Sequence, residues 1–276
     1  IPSTITTIKS FCFSGCSSLL EIAIPPSVTS IEAGSFSECS SLLHIMIPSS
    51  ITSIGPFTFS QCSSLKEIPI PSSIISIGKS AFVGCSSLTE AEIPSSINSI
   101  GDNLFEGCSS LKNIRIPSSV TSIGNWSFFG CSSLNYIDIP SSVTSIGNYA
   151  FEKCSSLIEI KIPSSVHLIG WWAFYECSSL NIISFENPSS VSSIGEYAFA
   201  KCTSLTNVEI PESVTSIDDH AFSKCSSLVN IKIHSSKFSV GNAVFYQCAS
   251  LENVIVPSSM DPIKINLPSK AKILYE

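Results

Sequence analysis

Cysteine recurs at a fixed period of 23 residues, and this period constrains the fold more than any other feature of the sequence. Eight cysteines are 23 residues apart, and three more continue the series after one step of 25. A fixed period of about 20–50 residues indicates a solenoid, because each unit must stack on its neighbours to bury its apolar side chains. The chain is therefore predicted to be a stack of repeats marked by Cys16, Cys39, Cys62, Cys85, Cys108, Cys131, Cys154, Cys177, Cys202, Cys225 and Cys248.

Each period repeats the same apolar positions. Phenylalanine stands three residues before each of these cysteines and leucine three residues after, followed by two apolar residues spaced by two, then usually Pro-Ser-Ser and Val-x-x-Ile-Gly. Ile-x-Ile predicts a short strand with alternate side chains on one face, and the proline ends it. Val-x-x-Ile predicts a second extended stretch. Glycine permits a turn, and the x-x-Ala-Phe-x-x-Cys segment predicts one tight helical turn.

The unit Leu-x-x-Ile-x-Ile-Pro-x-x-Val-x-x-Ile-Gly-x-x-Ala-Phe-x-x-Cys resembles the BspA-like class of leucine-rich repeats. The resemblance covers residues 1 to about 258 and implies a curved solenoid whose Leu-x-x-Ile-x-Ile strands line a concave parallel sheet. It also implies a cell-surface protein of bacteria or protists that adheres to host proteins, matrix proteins or other cells. We predict a right-handed leucine-rich-repeat superhelix of mainly parallel β-strands and short helical turns, with Phe, Leu, Ile and Cys ladders in one continuous core.

Departures from the unit divide the chain further. Glu186 and Asn187 add two residues before Pro188, and Asp218 replaces the usual glycine. We predict that residues 1–258 form a solenoid of about eleven units and that residues 259–276 are a degenerate C-terminal cap, because the last unit must cover an exposed core end. The chain opens in the middle of a unit, so we expect it to be a piece of a longer protein.

The charge and hydropathy of the chain limit the classes of partner that are predicted. The chain has 14 basic and 21 acidic residues, a net charge of −7, and Arg115 is its one arginine. Binding to a phosphate backbone needs clustered Lys and Arg, so nucleic acid is not a predicted partner. No apolar run reaches the roughly 18 residues that span a bilayer, so no membrane insertion is predicted within this segment.

The cysteines are predicted to be buried, reduced thiols, because eleven residues in one inward column cannot all pair and cysteine packs as a small hydrophobe. An isolated disulfide bridge involving Cys12, which lies off the ladder, is the alternative.

There is no Cys-x-x-Cys pair and the four histidines share no common repeat position, so no metal site is predicted. Nucleophilic catalysis needs a thiol or hydroxyl, a base and an orienting group that converge in a pocket, whereas the serine-rich stretches are repeated Pro-Ser-Ser and Cys-Ser-Ser turns. There is also no phosphate-cradling glycine loop. We therefore predict no catalytic residues, no cofactor and no enzymatic activity.

Two sets of outward positions are the candidate partner-binding surfaces. The first is a stripe on the concave strands that combines charges of both signs with a tyrosine, a composition typical of interface hot spots. Its residues are Glu90, Glu92, Arg115, Tyr136, Asp138, Glu159 and Lys161. The second is an aromatic stripe two residues before the repeated phenylalanine, comprising Trp126, Tyr149, Trp172 and Tyr197. The alternatives are a solvated sheet face for the first stripe and packing on neighbouring turns for the second.

We interpret the chain as a non-enzymatic module for protein binding or adhesion, at the cell surface or secreted. Its predicted partner is a protein of a host, of the matrix or another copy of the chain, with a glycan as a second ligand class. The alternative is an intracellular, cytoplasmic or structural scaffold that assembles with other proteins or with itself. Reduced cysteines favour that alternative, whereas the family resemblance favours the surface protein.

Overall fold

Most repeats have a short front strand and a short back strand, on opposite sides of the turn. The computed structural model describes residues 1–237, 239–259 and 267–276. All front strands except the last follow the repeated leucine. They are β2 Glu21–Ile22, β4 His44–Ile45, β7 Glu90–Glu92, β8 Asn113–Arg115, β11 Glu159–Ile162, β13 Ile182–Phe185, β15 Asn207–Ile210, β17 Asn230–Ile233, β19 Asn253–Val256 and β20 Lys272–Tyr275. The back strands carry the Ser-Ile of Val-x-x-Ile or its equivalent and are β1 Thr7–Ile8, β3 Ser30–Ile31, β5 Ser53–Ile54, β6 Ser76–Ile77, β9 Ser122–Ile123, β10 Ser145–Ile146, β12 Leu168–Ile169, β14 Ser193–Ile194, β16 Ser216–Ile217 and β18 Ser239–Val240.

Where strands of successive turns pair, each lies beside the equivalent strand of the next turn. Glu159 lies opposite Ile182, and Asn207 lies opposite Asn230, so every pair is parallel and identical repeat positions are neighbours. The predicted parallel solenoid is confirmed, with about eleven turns. The chain forms two compact units, Ile1–Ile137 and Asp138–Glu276. Each unit contains its own uninterrupted run of buried repeat positions.

The core consists of ladders of identical side chains. The rings of Phe151, Phe174 and Phe199 stack with centroids 5.1 Å apart in both steps and interplanar angles of 8° and 1°. In the first unit the ladder from Phe13 to Phe128 repeats at 5.3–5.8 Å. Such offset-stacked rings are a favourable aromatic geometry and exclude water from the centre of each turn. The ladders predicted from the sequence are therefore present in both units.

The cysteine ladder has a hydrogen-bonding role that the sequence did not reveal. The Cys85 thiol donates to the carbonyl oxygen of Phe59 in the preceding turn, with Sγ 3.2 Å from the oxygen, and equivalent bonds recur along both units. Burial raises the pKa of the Cys39 thiol to about 11, so such a thiol keeps its proton and can donate. All twelve cysteines are free thiols, ten of them buried and Cys12 and Cys16 exposed.

The predicted helical turn is wrong in detail, because no helix forms among the residues that the structure describes. In this segment alternate N–H groups have different partners. The N–H groups of Phe11, Phe13 and Gly15 donate to carbonyl groups of the next turn, whereas those of Cys12 and Ser14 donate three residues back within their own turn. A helix would direct all of these bonds within one segment, so it cannot form while half of them join neighbouring turns.

The C-terminal cap was predicted over residues 259–276, and residues 260–266 lie outside the described residues. Beyond them, β20 pairs in parallel with β19, with Asn253 opposite Lys272 and Val256 opposite Tyr275. The N–H of Ser258 also donates to the carbonyl oxygen of Glu276. The last described segment therefore continues the front sheet by one strand.

Candidate functional site

Outward side chains of the front strands differ from turn to turn, whereas most other exposed corners of the repeat carry the same Pro-Ser-Ser or Cys-Ser-Ser sequence. The strands alternate as expected: in β11, Glu159 and Lys161 are exposed, and Ile160 and Ile162 are buried. This alternation follows from the two-residue period of a strand, which directs successive side chains to opposite faces. The front strands therefore present a chemically varied surface on an invariant core.

In the first unit, the predicted stripe residues Glu90, Glu92, Arg115 and Tyr136 are all exposed. Arg115 Nη1 lies 3.4 Å from Glu92 Oε1 across paired strands β7 and β8, and these side chains are 82% and 73% exposed. The side chain of Tyr136 is 53% exposed. A shallow groove of about 490 Å³ runs over this area, lined by Glu67, Ile68, Pro69, Glu90, Ala91, Glu92, Asn113, Ile114 and Arg115.

In the second unit, the stripe residues Asp138, Glu159 and Lys161 are also exposed. Lys161 Nζ lies 2.7 Å from Glu186 Oε1. The hydrogen bond from Lys161, together with one from the Ser164 N–H, lowers the pKa of the Glu186 carboxyl. Glu186 is one of the two added residues, and its contact with a stripe residue could not be predicted from the repeat pattern.

The aromatic positions adopt an unusual backbone conformation. Trp126, Tyr149, Trp172 and Tyr197 have φ between 51° and 59°, in the left-handed region that bulky side chains rarely occupy. Trp126 lies in the first unit and is 37% exposed. In the second unit, the rings form one half-buried column, with centroids 5.9 Å apart for Tyr149 and Trp172 and 4.4 Å apart for Trp172 and Tyr197. His220 continues the column, 4.6 Å from Tyr197.

A cluster of three side chains beside the aromatic column could not be predicted from the sequence, because its residues occupy different repeat positions. The ring of Tyr175 lies 4.4 Å from that of Trp172, and Lys201 Nζ lies 4.8 Å from the centre of the Tyr175 ring. Lys201 Nζ is also 2.5 Å from Glu176 Oε1, and this hydrogen bond raises the pKa of the Lys201 ammonium. Tyr175 thus links the aromatic column to the Lys201–Glu176 ion pair through a cation–π contact.

Within the described residues, no group of three or more His, Cys, Asp and Glu side chains is arranged to hold a metal ion. The same part of the chain contains no helix with the length and apolar character that a bilayer crossing requires. The structure exposes charged side chains on the front strands and a half-buried column of aromatic rings beside them.

The family assignment follows from the repeat. A family model described as BspA type leucine-rich repeat region, in six copies, matches residues 1–112, 75–187 and 179–274. The chain belongs to the BspA type leucine-rich repeat family. The resemblance to BspA-like leucine-rich repeats seen in the sequence is thereby confirmed. None of the curated proteins compared matches the chain.

Solved structures of bacterial leucine-rich repeat proteins are similar to this BspA type chain. A leucine-rich repeat protein from Bacteroides ovatus is 28% identical, with a TM-score of 0.54, and the match covers 99% of this chain and 88% of that one. A leucine-rich cell surface protein from Faecalibacterium prausnitzii is 30% identical over 86% of this chain and 79% of its own, with a TM-score of 0.48. The pneumococcal vaccine antigen PcpA is 20% identical, with a TM-score of 0.60 and coverage of 98% and 79%, and shares the fold.

Leucine-rich repeat domains generally bind proteins, and this repeat family and fold are typically non-enzymatic. The family match therefore supports a protein-binding repeat module. BspA type repeats are also consistent with a surface or secreted protein.

Proposed function

We propose that the chain is an adhesion module on the outside of a cell, which binds protein through the outward side chains of its front strands. The observation that carries this proposal is the contrast within each turn. Inward Phe, Leu, Ile and Cys positions are nearly invariant along the chain, while the outward front-strand positions change in charge, size and aromatic character. Invariant positions maintain the stack, so the varied positions are the ones available to distinguish one partner from another.

The first-unit part of the stripe is best suited to a protein partner. Arginine and tyrosine are enriched among the residues that dominate protein interfaces. The Arg115–Glu92 pair is highly exposed, so it contributes only about 0–1 kcal/mol to folding. Arg115 can therefore exchange Glu92 for a carboxylate of a partner at little cost in stability. Tyr136 supplies apolar area with a polar hydroxyl.

Glycan binding through the aromatic column is the second ligand class. Sugars bind to the open face of an aromatic ring, but Trp172 and Tyr197 in the second unit stack on each other and on their neighbours. Mutual stacking covers ring faces and leaves mainly ring edges exposed. We therefore favour a protein partner on the front strands over a glycan on the column.

The test uses beads coated with the whole chain, and the readout is their attachment to immobilised fibronectin, laminin, collagen or the same chain. The variant Arg115→Glu with Tyr136→Ala should weaken attachment by at least about tenfold, corresponding to a loss of roughly 1.4 kcal/mol. Both side chains are exposed, so the thermal unfolding midpoint should stay within about 2 °C of the parent.

The matched control is Lys79→Glu with Ile75→Ala, which makes the same change of charge at exposed first-unit positions away from the front strands. It should attach like the parent. Undiminished attachment by the Arg115 and Tyr136 variant would contradict the front-strand proposal and direct attention to Trp126 and Trp172. Failure of the parent to attach to any of these proteins, together with protection from protease on intact producing cells, would favour the intracellular scaffold.

A further inference from the structure

The two added residues interrupt the front sheet of the second unit. Glu186 and Asn187 lie between β13 and Pro188. Strand β13 pairs with β11 on one side, and β15 pairs with β17 on the other, but β13 and β15 belong to separate sheets although they are consecutive front strands. The strand ladder is therefore interrupted between these two turns, at the position of the two added residues.

Hydrogen bonds on the neighbouring corner show the same local opening. In regular turns the serine before Val or Ile donates to a carbonyl of the preceding turn, as Ser165 Oγ does to Val143 O at 2.5 Å. The equivalent Ser213 Oγ is buried without a partner. The turns close again on both sides, because the Ser204 N–H donates to Ser178 O and the Thr215 N–H donates to Ser192 O.

A groove of about 540 Å³ lies where the ladder is interrupted. Ile183 and Phe185 give it an apolar portion, and Glu186, Glu209 and Glu212 give it three carboxylates. Asn187, Asn207, Ser184, Ser189, Pro211 and His234 complete the lining. A concave site of this size with a few converging polar groups beside apolar surface is typical of ligand-binding clefts.

Charge selects the ligand. Among the described residues that line the groove there is no lysine or arginine. Of the three carboxylates, Glu186 is already paired with a lysine, because Lys161 Nζ lies 2.7 Å from its Oε1. Lys232 Nζ lies 2.5 Å from Glu276 Oε2, outside the groove lining. Glu209 has His234 Nε2 at 3.6 Å and is exposed, as is Glu212. Glu209 and Glu212 are thus available to an incoming cation.

We propose that this groove binds an arginine side chain of a protein partner. The guanidinium forms two parallel hydrogen bonds with a carboxylate, and its planar group and aliphatic stem pack on aromatic and apolar surface. Glu209 and Glu212 supply the carboxylates, and Phe185 supplies the aromatic surface. The inference rests on the proposed function in requiring a protein ligand, but it concerns a different site from the Arg115 and Tyr136 surface.

The test measures fluorescence anisotropy of a labelled, extended peptide with two arginines in a Gly-Ser background, titrated with the whole chain. A matched peptide with citrulline in place of arginine has the same shape without the charge. The arginine peptide should bind at least tenfold more tightly than the citrulline peptide. The variant Glu209→Gln with Glu212→Gln should lower its affinity at least fivefold.

The control variant is Glu38→Gln with Glu252→Gln, which removes the same charge from exposed positions outside the groove. It should bind the peptide within twofold of the parent. Equal binding of both peptides, or an equal loss in both variants, would overturn the proposal. Bead attachment is measured in parallel, so loss of the groove's peptide binding can be separated from loss of adhesion through Arg115 and Tyr136.

Discussion

At the residue scale, two positions in each turn have left-handed backbone. One lies two residues before the repeated phenylalanine and the other immediately precedes the repeated cysteine. Glycine occupies only some of them, and the others hold residues such as Glu38, Gln61, Lys153 and Trp172. Non-glycine residues incur about 1–2 kcal/mol in this conformation. Inter-turn hydrogen bonds, such as those donated by the N–H groups of Glu38, Gln61 and Trp172, offset that cost. The sequence could not reveal these positions, because no glycine pattern marks them.

Gly107→Ala isolates this conformational cost. Gly107 has a φ of 71°, and a methyl group there would meet no atom closer than 3.6 Å. The variant should lower the free energy of unfolding by about 1 kcal/mol through backbone strain alone, as measured by urea denaturation.

Gly101→Ala is the matched control, because its methyl group would meet no atom closer than 3.9 Å and its φ is not in the left-handed region. It should leave stability unchanged or raise it by up to about 1 kcal/mol. Equal destabilisation by the two variants would contradict the assignment of strain to Gly107.

At the element scale, the sequence predicted the strands and their parallel pairing well but not the segment between Gly and Cys. Ile-x-Ile has a two-residue period that only a strand satisfies. By contrast, apolar residues three apart, such as Phe174 and Cys177, fit a helical turn equally well as a series of turns linked to the next repeat. Outward front-strand positions followed from the strand period. The groove did not, because its shape depends on how two turns separate around Glu186 and Asn187.

Deleting Glu186 and Asn187 restores the 23-residue period, because Phe185 is then followed directly by Pro-Ser-Ser-Val as in the other repeats. The deletion should allow β13 and β15 to pair. Amide hydrogens in Asn207–Ile210 should then exchange at least about tenfold more slowly, since strand hydrogen bonds protect them.

Hydrogen exchange followed by mass spectrometry measures this change, with the Glu159–Ile162 peptide as an internal reference that is already paired in the parent. The deletion should also abolish arginine-peptide binding. Unaltered exchange over Asn207–Ile210 would mean that the added residues are not what separates these strands.

At the scale of the whole molecule, the chain is stabilised by columns of stacked side chains that join neighbouring turns. Phe174 is fully buried between two stacked rings, whereas Phe13 in the first complete turn stacks with Phe36 and is only half-buried. A solenoid is stabilised by nearest-neighbour contacts, so the effect of a substitution depends on how many neighbours the turn has.

Phe174→Ala should therefore lower the free energy of unfolding by about 3–5 kcal/mol. Phe13→Ala should lower it by less than half as much, because the side chain is partly in water already. Chemical denaturation monitored by circular dichroism gives both values. Equal losses would contradict a stack in which terminal turns contribute less than inner turns.

The alternating hydrogen bonds also give one column of peptide groups in each unit an electrical direction, opposite to that of N–H groups such as those of Gly78 and Gly170, which point to the preceding turn. The peptide groups preceding Tyr149, Phe151 and Lys153 all direct N–H toward the following turn, as do their equivalents preceding Trp172, Phe174 and Glu176. Their dipoles add along the stack as they do along the axis of a helix, although no helix is present. In each unit this column of peptide groups is consequently a dipole, positive toward later turns and negative toward earlier ones. Its direction is set by backbone geometry and not by the surface side chains.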